Sequence, residues 1–134
     1  MIGFNQGDKT MWLEYNPNPF GRSTKDCTVR ALTKALNLGW DTAYDILCVT
    51  GKKMGYMPDS IPVFEKILRD NGFVKESVPD ACTDCYTAED FASEFFKGTY
   101  ILVFDGHVAT VINGKIYDSV DVSREAPLYF WFRR

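Results

Sequence analysis

The run Gly106-His107-Val108-Ala109-Thr110-Val111-Ile112-Asn113-Gly114-Lys115-Ile116-Tyr117-Asp118 constrains this chain more than any other. Asn-Gly between two alternating segments is the strongest short-range signal for a two-residue type I′ hairpin, because both turn residues must take positive φ. Such a turn fixes the register on either side of it. Ile112 then faces Lys115, and Ala109 faces Asp118. Side chains two apart on a strand share a face, so His107 and Asp118 become diagonal neighbours about 7 Å apart. An imidazole and a carboxylate can span that gap. The chain has one histidine, and the register predicts it beside an acid. Asp121 is a second acid nearby, but this register puts it on the opposite face.

The hairpin sits in a C-terminal half full of strand signals. Thr99 to Phe104 is β-branched and aromatic, Lys115 to Val120 alternates, and Leu128 to Arg133 is dominated by aromatics. Turns fall at Asp105-Gly106 and at Arg124 to Pro127. The half before it reads as helical. Asp26 is placed to cap an amphipathic helix from Cys27 to Leu38, and a second helix fits Trp40 to Thr50 with Gly51 as its stop. A third runs from Ser60 to Asn71, with Pro62 tolerated in its first turn, and Thr87 opens a fourth through Phe96. Phe73 to Val78 fits a short strand. The first 25 residues are punctuated by Asn16-Pro17-Asn18-Pro19-Phe20-Gly21 and are expected to be irregular. Helices first and an antiparallel sheet last is an α+β pattern. At 134 residues, with no internal repeat and no linker, one domain over residues 1–134 is expected.

Composition removes several classes of function. Fifteen basic against eighteen acidic residues leave a formal charge of −3, with no clustered basic excess of the kind that grips nucleic acid. No apolar run approaches the roughly 20 residues that span a bilayer, and the opening residues have no export signal. The expectation is a soluble, cytoplasmic protein with no membrane or nucleic-acid partner. Cys27, Cys48, Cys82 and Cys85 are then expected to be reduced thiols rather than a disulfide scaffold.

Cys27 stands out among them because it falls in the first turn of its helix. Unpaired N–H groups and about half a positive charge at a helix start favour thiolate over thiol. A carboxylate that accepts the Nδ1–H of an imidazole fixes its tautomer and aims Nε2 outward. The expected arrangement is therefore Cys27 as nucleophile, His107 as base and acid, and Asp118 as the residue orienting the ring. The competing reading for each is bland, since a free cysteine is usually a small core residue and an acid at a strand end is ordinary.

These residues resemble a known family. Cys27 at a helix start, Gly106-His107 before an alternating strand and Tyr117-Asp118 on its partner are similar to the papain-like cysteine peptidase superfamily in minimal form. The likeness is to short bacteriocin-processing-type peptidases and to phage or bacterial proteins with an NPxG…DCxxRA pattern. That pattern is Asn18-Pro19-Phe20-Gly21 and Asp26-Cys27-Thr28-Val29-Arg30-Ala31 here. The resemblance implies a papain-like fold, with N-terminal helices packed on a C-terminal antiparallel sheet. It also implies a cysteine-dependent hydrolase or acyl transferase that cuts peptide, isopeptide or amide bonds in a peptide or protein substrate, with no cofactor. Papain-like enzymes carry an oxyanion-donating glutamine six residues before the cysteine, and that position is Gly21 in this chain. The backbone N–H of Cys27 can donate instead, and Asn18 is the candidate side-chain donor. The departure keeps an alternative open: a weak or inactive papain-like binding module, phage-encoded, that captures a host protein or small molecule.

Other signals are weaker. Cys82-Thr83-Asp84-Cys85 is a CxxC, but a zinc site needs two further ligands, and a redox motif normally opens a helix after a strand. Cys48 is a conceivable third ligand, although a cysteine inside a helix is usually core. The aromatic tail Tyr129 to Phe132 reads as a strand with a buried face. Met54, Tyr56 and Met57 must either fold over the core or line a cleft.

Overall fold

A computed structural model describes residues 11–79 and 85–133. Among them are four helices and six strands. In chain order these are β1 (Trp12–Glu14), α1 (Cys27–Ala35), α2 (Trp40–Met54), α3 (Ile61–Asp70), β2 (Phe73–Ser77), α4 (Ala88–Glu94), β3 (Thr99–Phe104), β4 (His107–Ile112), β5 (Lys115–Asp118) and β6 (Tyr129–Arg133). The strands form one sheet in the order β1-β5-β4-β3-β6-β2. The class is α+β.

The Asn113-Gly114 turn holds the predicted register. Its two residues have φ of 49° and 80°, and Ile112 faces Lys115 while Val111 faces Ile116. The sheet is mixed rather than purely antiparallel. Trp12–Glu14, within the segment expected to be irregular, pairs in parallel with Ile116–Asp118. Three residues are too few to show an alternation, and only the partner strand makes this segment extended. The aromatic tail forms β6, which lies between β3 and β2, with Phe130 and Trp131 buried.

The sheet is covered on both faces, which explains why Ile101 to Phe104 of β3 form an unbroken buried apolar run. Ile101, Val103, Val108 and Trp131 pack with Leu32, Leu47, Phe64 and Leu68 of α1 to α3. Leu102, Ala109, Val111, Ile116 and Phe130 pack with Phe91 of α4 on the other side. Thr110, fully buried on β4, donates its hydroxyl to the Ala31 carbonyl at 2.9 Å and ties α1 to the hairpin. The expected cap of α4 is present as a reciprocal pair, with Thr87 Oγ1 accepting from the Asp90 N–H and the Asp90 carboxylate accepting from the Thr87 N–H.

Two local expectations are corrected. Gly51 does not stop α2; the helix runs one more turn and ends at Gly55, left-handed at φ 79°. Gly51 is needed for close approach instead, since a Cβ there would lie 2.8 Å from the Tyr56 carbonyl oxygen and 3.1 Å from Pro58 Cα. Asp26 stands at the start of α1 but its side chain does not cap the helix. It bonds Arg30 and the Trp40 indole, and a guanidinium is a stronger donor than a helix N–H.

Gly51→Ala is therefore expected to destabilise the fold by about 1–2 kcal/mol, overpacking outweighing the helix propensity gained. A thermal melt with a Tm at or above that of the unaltered chain would contradict this.

Candidate active site

The site lies at the end of the sheet where the first turn of α1 meets the starts of β4 and the end of β5. Cys27 is the first residue of α1, His107 the first of β4 and Asp118 the last of β5. Position at element ends leaves Cys27 and His107 an open side. Cys27 is half-buried, the His107 side chain is 25% exposed, and Asp118 is completely buried. Cys27 and His107 both line a cleft of about 790 Å³, so the sulfur is not sealed in the core.

The structure brings the three predicted residues together. His107 Nε2 lies 2.5 Å from Asp118 Oδ2. The other side of the ring meets the Cys27 thiol, which also receives the backbone N–H of Val108. The ring is turned the other way from the expected orientation: Nε2 meets the acid, which leaves Nδ1 for the sulfur. The reason is reach. A diagonal partner is distant, and Nε2 is the nitrogen farther from the backbone, while Nδ1 stays close to the strand where the helix start arrives.

Asp118 is held by more than the histidine. Its Oδ1 accepts from Arg30 Nε at 3.0 Å and from the Ser119 N–H at 2.7 Å, while its backbone carbonyl accepts from the Trp12 indole and the Tyr15 N–H, each at 2.9 Å. Arg30 is itself buried and gives Nη1 to Asp26 at 2.7 Å. Asp26 takes the Trp40 indole on its other oxygen at 2.9 Å. A continuous polar chain thus runs from Trp40 through Asp26, Arg30 and Asp118 to His107 and Cys27.

The electrostatics follow from these contacts. Burial pushes the Cys27 thiol up, but the hydrogen bond with His107, the Val108 N–H and the positive charges of His107 and Arg30 outweigh it and lower the pKa. Hydrogen bonds to Asp118 and then to Cys27 raise His107 from 6.5 to about 9, against the opposing effect of burial. A lowered thiol beside a raised imidazole favours a thiolate beside an imidazolium, the state that makes sulfur nucleophilic.

Asn18 is placed elsewhere. It lines a neighbouring pocket rather than the Cys27 cleft, and its Oδ1 accepts from the Phe20 N–H at 2.8 Å. The side chain closes its own loop, as asparagine before a turn commonly does. Asp121 likewise serves a local turn, accepting from the Ser123 N–H at 3.0 Å. Cys48 is a free thiol in the wall of the neighbouring pocket. Cys85 is disulfide-bonded, contrary to the expected reduced thiols; composition cannot report whether a second sulfur comes within bonding reach. Cys82 lies outside the described residues. Among the described residues no three His, Cys, Asp or Glu side chains are grouped to hold a metal ion. No helix is long and apolar enough to cross a membrane among those residues.

Arg30, Asp26 and Trp12 were not foreseen as parts of the site. The i,i+4 spacing of Asp26 and Arg30 across the helix start was the available signal for the first two. Trp12 joins only through a strand pairing that has no local signature. No protein-family model, curated protein or solved structure matches this chain.

Two outcomes test the electrostatic arrangement. Arg30→Met strands two buried carboxylates, and a loss of about 3–5 kcal/mol in chemical denaturation is expected; a loss under 1 kcal/mol would show that the pair carries little. In Cys27→Ala, the raised His107 pKa stabilises the fold fully below its unfolded value of 6.5. That contribution is lost as pH rises through the folded value, which lies below about 9 once the sulfur is gone. Stability measured across this window should fall, and adding His107→Gln should flatten the slope. An identical slope in both variants would assign it to other groups.

Proposed function

We propose that this protein is a cysteine-dependent acyl-transfer enzyme of papain-like architecture, acting on a peptide, isopeptide or amide bond. The observation that carries the reading is the lowered Cys27 thiol against His107, with His107 held by buried Asp118, in an open cleft.

The chemistry follows from the contacts. The Cys27 thiolate attacks the carbonyl carbon, and the C=O electron pair moves onto oxygen. Backbone N–H groups of the first turn of α1 have no partner within the helix and can donate to that oxyanion. As the C=O reforms, the C–N bond breaks and the His107 imidazolium gives its proton to the departing amine. Neutral His107 then takes a proton from water, which attacks the thioester and releases the acid and the thiolate. Asp118 keeps the ring aligned throughout and offsets its charge when protonated.

A second reading, a catalytically weak binding module, is favoured by one observation: neither Gly21 nor Asn18 lines the Cys27 cleft as described, leaving the oxyanion to backbone donors. Loss of one such donor lowers turnover by about 10²–10³ in working sites. The two readings separate experimentally. Iodoacetamide at about pH 6 should alkylate Cys27 ahead of Cys48, and His107→Ala should slow this at least about tenfold. Equal labelling of both thiols would remove the activated nucleophile and the proposal with it. Given fast labelling, an activated acyl ester that loads Cys27 once and is not released would select the binding module, whereas continued release of acid selects the enzyme.

A further inference from the structure

Two buried charges beside the nucleophile take no part in the steps derived above. Arg30 and Asp26 are each only 5% exposed. Arg30 follows Cys27 by three residues, so one face of α1 carries both the thiol and the guanidinium, and both residues line the same cleft. The guanidinium is a bridge. Its Nε donates to Asp118 Oδ1 at 3.0 Å and its Nη1 to Asp26 Oδ1 at 2.7 Å.

Charge counting gives the bridge a chemical meaning. Two acids and one base leave this buried group with one unmatched negative charge, which protonated His107 balances. Among the described residues Asp118 forms ion pairs with Arg30 and His107 alone. Acyl transfer disturbs that balance. When the imidazolium gives its Nδ1 proton to the departing amine, the ring keeps Nε2–H on Asp118 but loses its charge. A carboxylate wholly out of water then has Arg30 as its one remaining cation. With no arginine there, the acid would hold the imidazolium far more tightly, and releasing the proton would be costlier. The guanidinium also helps to lower the Cys27 thiol. Asp26 acts in the opposite sense, because its negative charge offsets part of the Arg30 field.

We infer that Arg30 is a positioning residue for the reaction, acting through Asp118: it keeps the carboxylate ionised and aligned while His107 passes its proton to the departing amine, and Asp26 limits how much of that charge the site feels. The inference rests on the acyl-transfer reading of Cys27. The titratable groups around the guanidinium are Asp26, Asp118, Cys27 and Tyr15, with His107 beyond Asp118. Lys25, Asp59 and Asp105 also line the cleft, but they are exposed and screened by solvent.

The test uses the full chain, whose single histidine makes every imidazole signal in an NMR titration that of His107. Cys27→Ala removes the thiol that titrates with the ring, and three further substitutions are compared in that background. Arg30→Gln should raise the His107 midpoint by about one unit or more, a proton held about 10- to 100-fold more tightly. Arg30→Lys keeps the charge and should recover most of that shift. Asp26→Asn should lower the midpoint, loosening the proton about threefold or more. With Cys27 restored, the acid limb of its iodoacetamide profile should move to higher pH in Arg30→Gln and back in Arg30→Lys. An arginine that only props up the fold gives no such opposed pair of shifts. Midpoints that stay fixed in Arg30→Gln and Asp26→Asn, or that move in the same direction, overturn the inference. If Arg30→Gln does not fold, Asp26→Asn decides: a lowered midpoint supports the inference, and an unmoved or raised one overturns it. An unaltered chain whose Cys27 labels no faster than Cys48 removes the acyl-transfer reading instead, and this inference falls with it whatever the titration gives.

Discussion

The buried carboxylate of Asp118 is the constraint on which the rest of the site depends. One oxygen faces the Arg30 guanidinium and the other the His107 ring, at 3.0 Å and 2.5 Å. An acid taken wholly out of water is tolerable only when such partners replace its hydration. The arginine has a geometric effect too: by fixing Oδ1 it presents Oδ2 to the imidazole in one direction. Arg30 is fixed in turn by Asp26, and Asp26 by Trp40. Each member leaves the next fewer choices, so the orientation of the ring is determined two helices away.

The same arrangement explains why the thiol that meets His107 is the first residue of its helix. Asp118 engages the far nitrogen of His107, so the near nitrogen, close to the β4 backbone, is what remains for sulfur. Only a side chain brought right up to the start of that strand can meet it. Thr110 bonded to the Ala31 carbonyl sets α1 against β4 at this depth, and the Val108 N–H is then also within reach of the thiol. Charge, strand register and helix docking converge on one sulfur atom.

Much of this was legible in the sequence, for local reasons. Asn113-Gly114 admits essentially one turn type, and that turn alone places His107 near Asp118. Helix starts and alternating strands are likewise short-range patterns, which is why β3 matches its expected bounds residue for residue. What could not be read depends on partners distant in sequence. Trp12 meets Asp118 across 106 residues, and nothing in a three-residue segment announces a parallel pairing. Asp26 has the residue type of a helix cap, yet its side chain is claimed by Arg30 and Trp40. Gly51 has the residue type of a helix stop, yet serves a close backbone approach. Asn18 has the amide an oxyanion hole wants, and spends its carbonyl on Phe20.

The distance along the chain between sulfur and imidazole has a consequence during synthesis. Cys27 emerges from the ribosome about 80 residues ahead of His107 and more than 90 ahead of Asp118. At about 5–20 residues per second, that interval lasts several seconds. Throughout it the nascent polypeptide lacks the ring and the Val108 amide that lower the thiol pKa. The growing chain therefore carries an ordinary thiol past chaperones and neighbouring chains, and its pKa falls only as the last strands close the sheet.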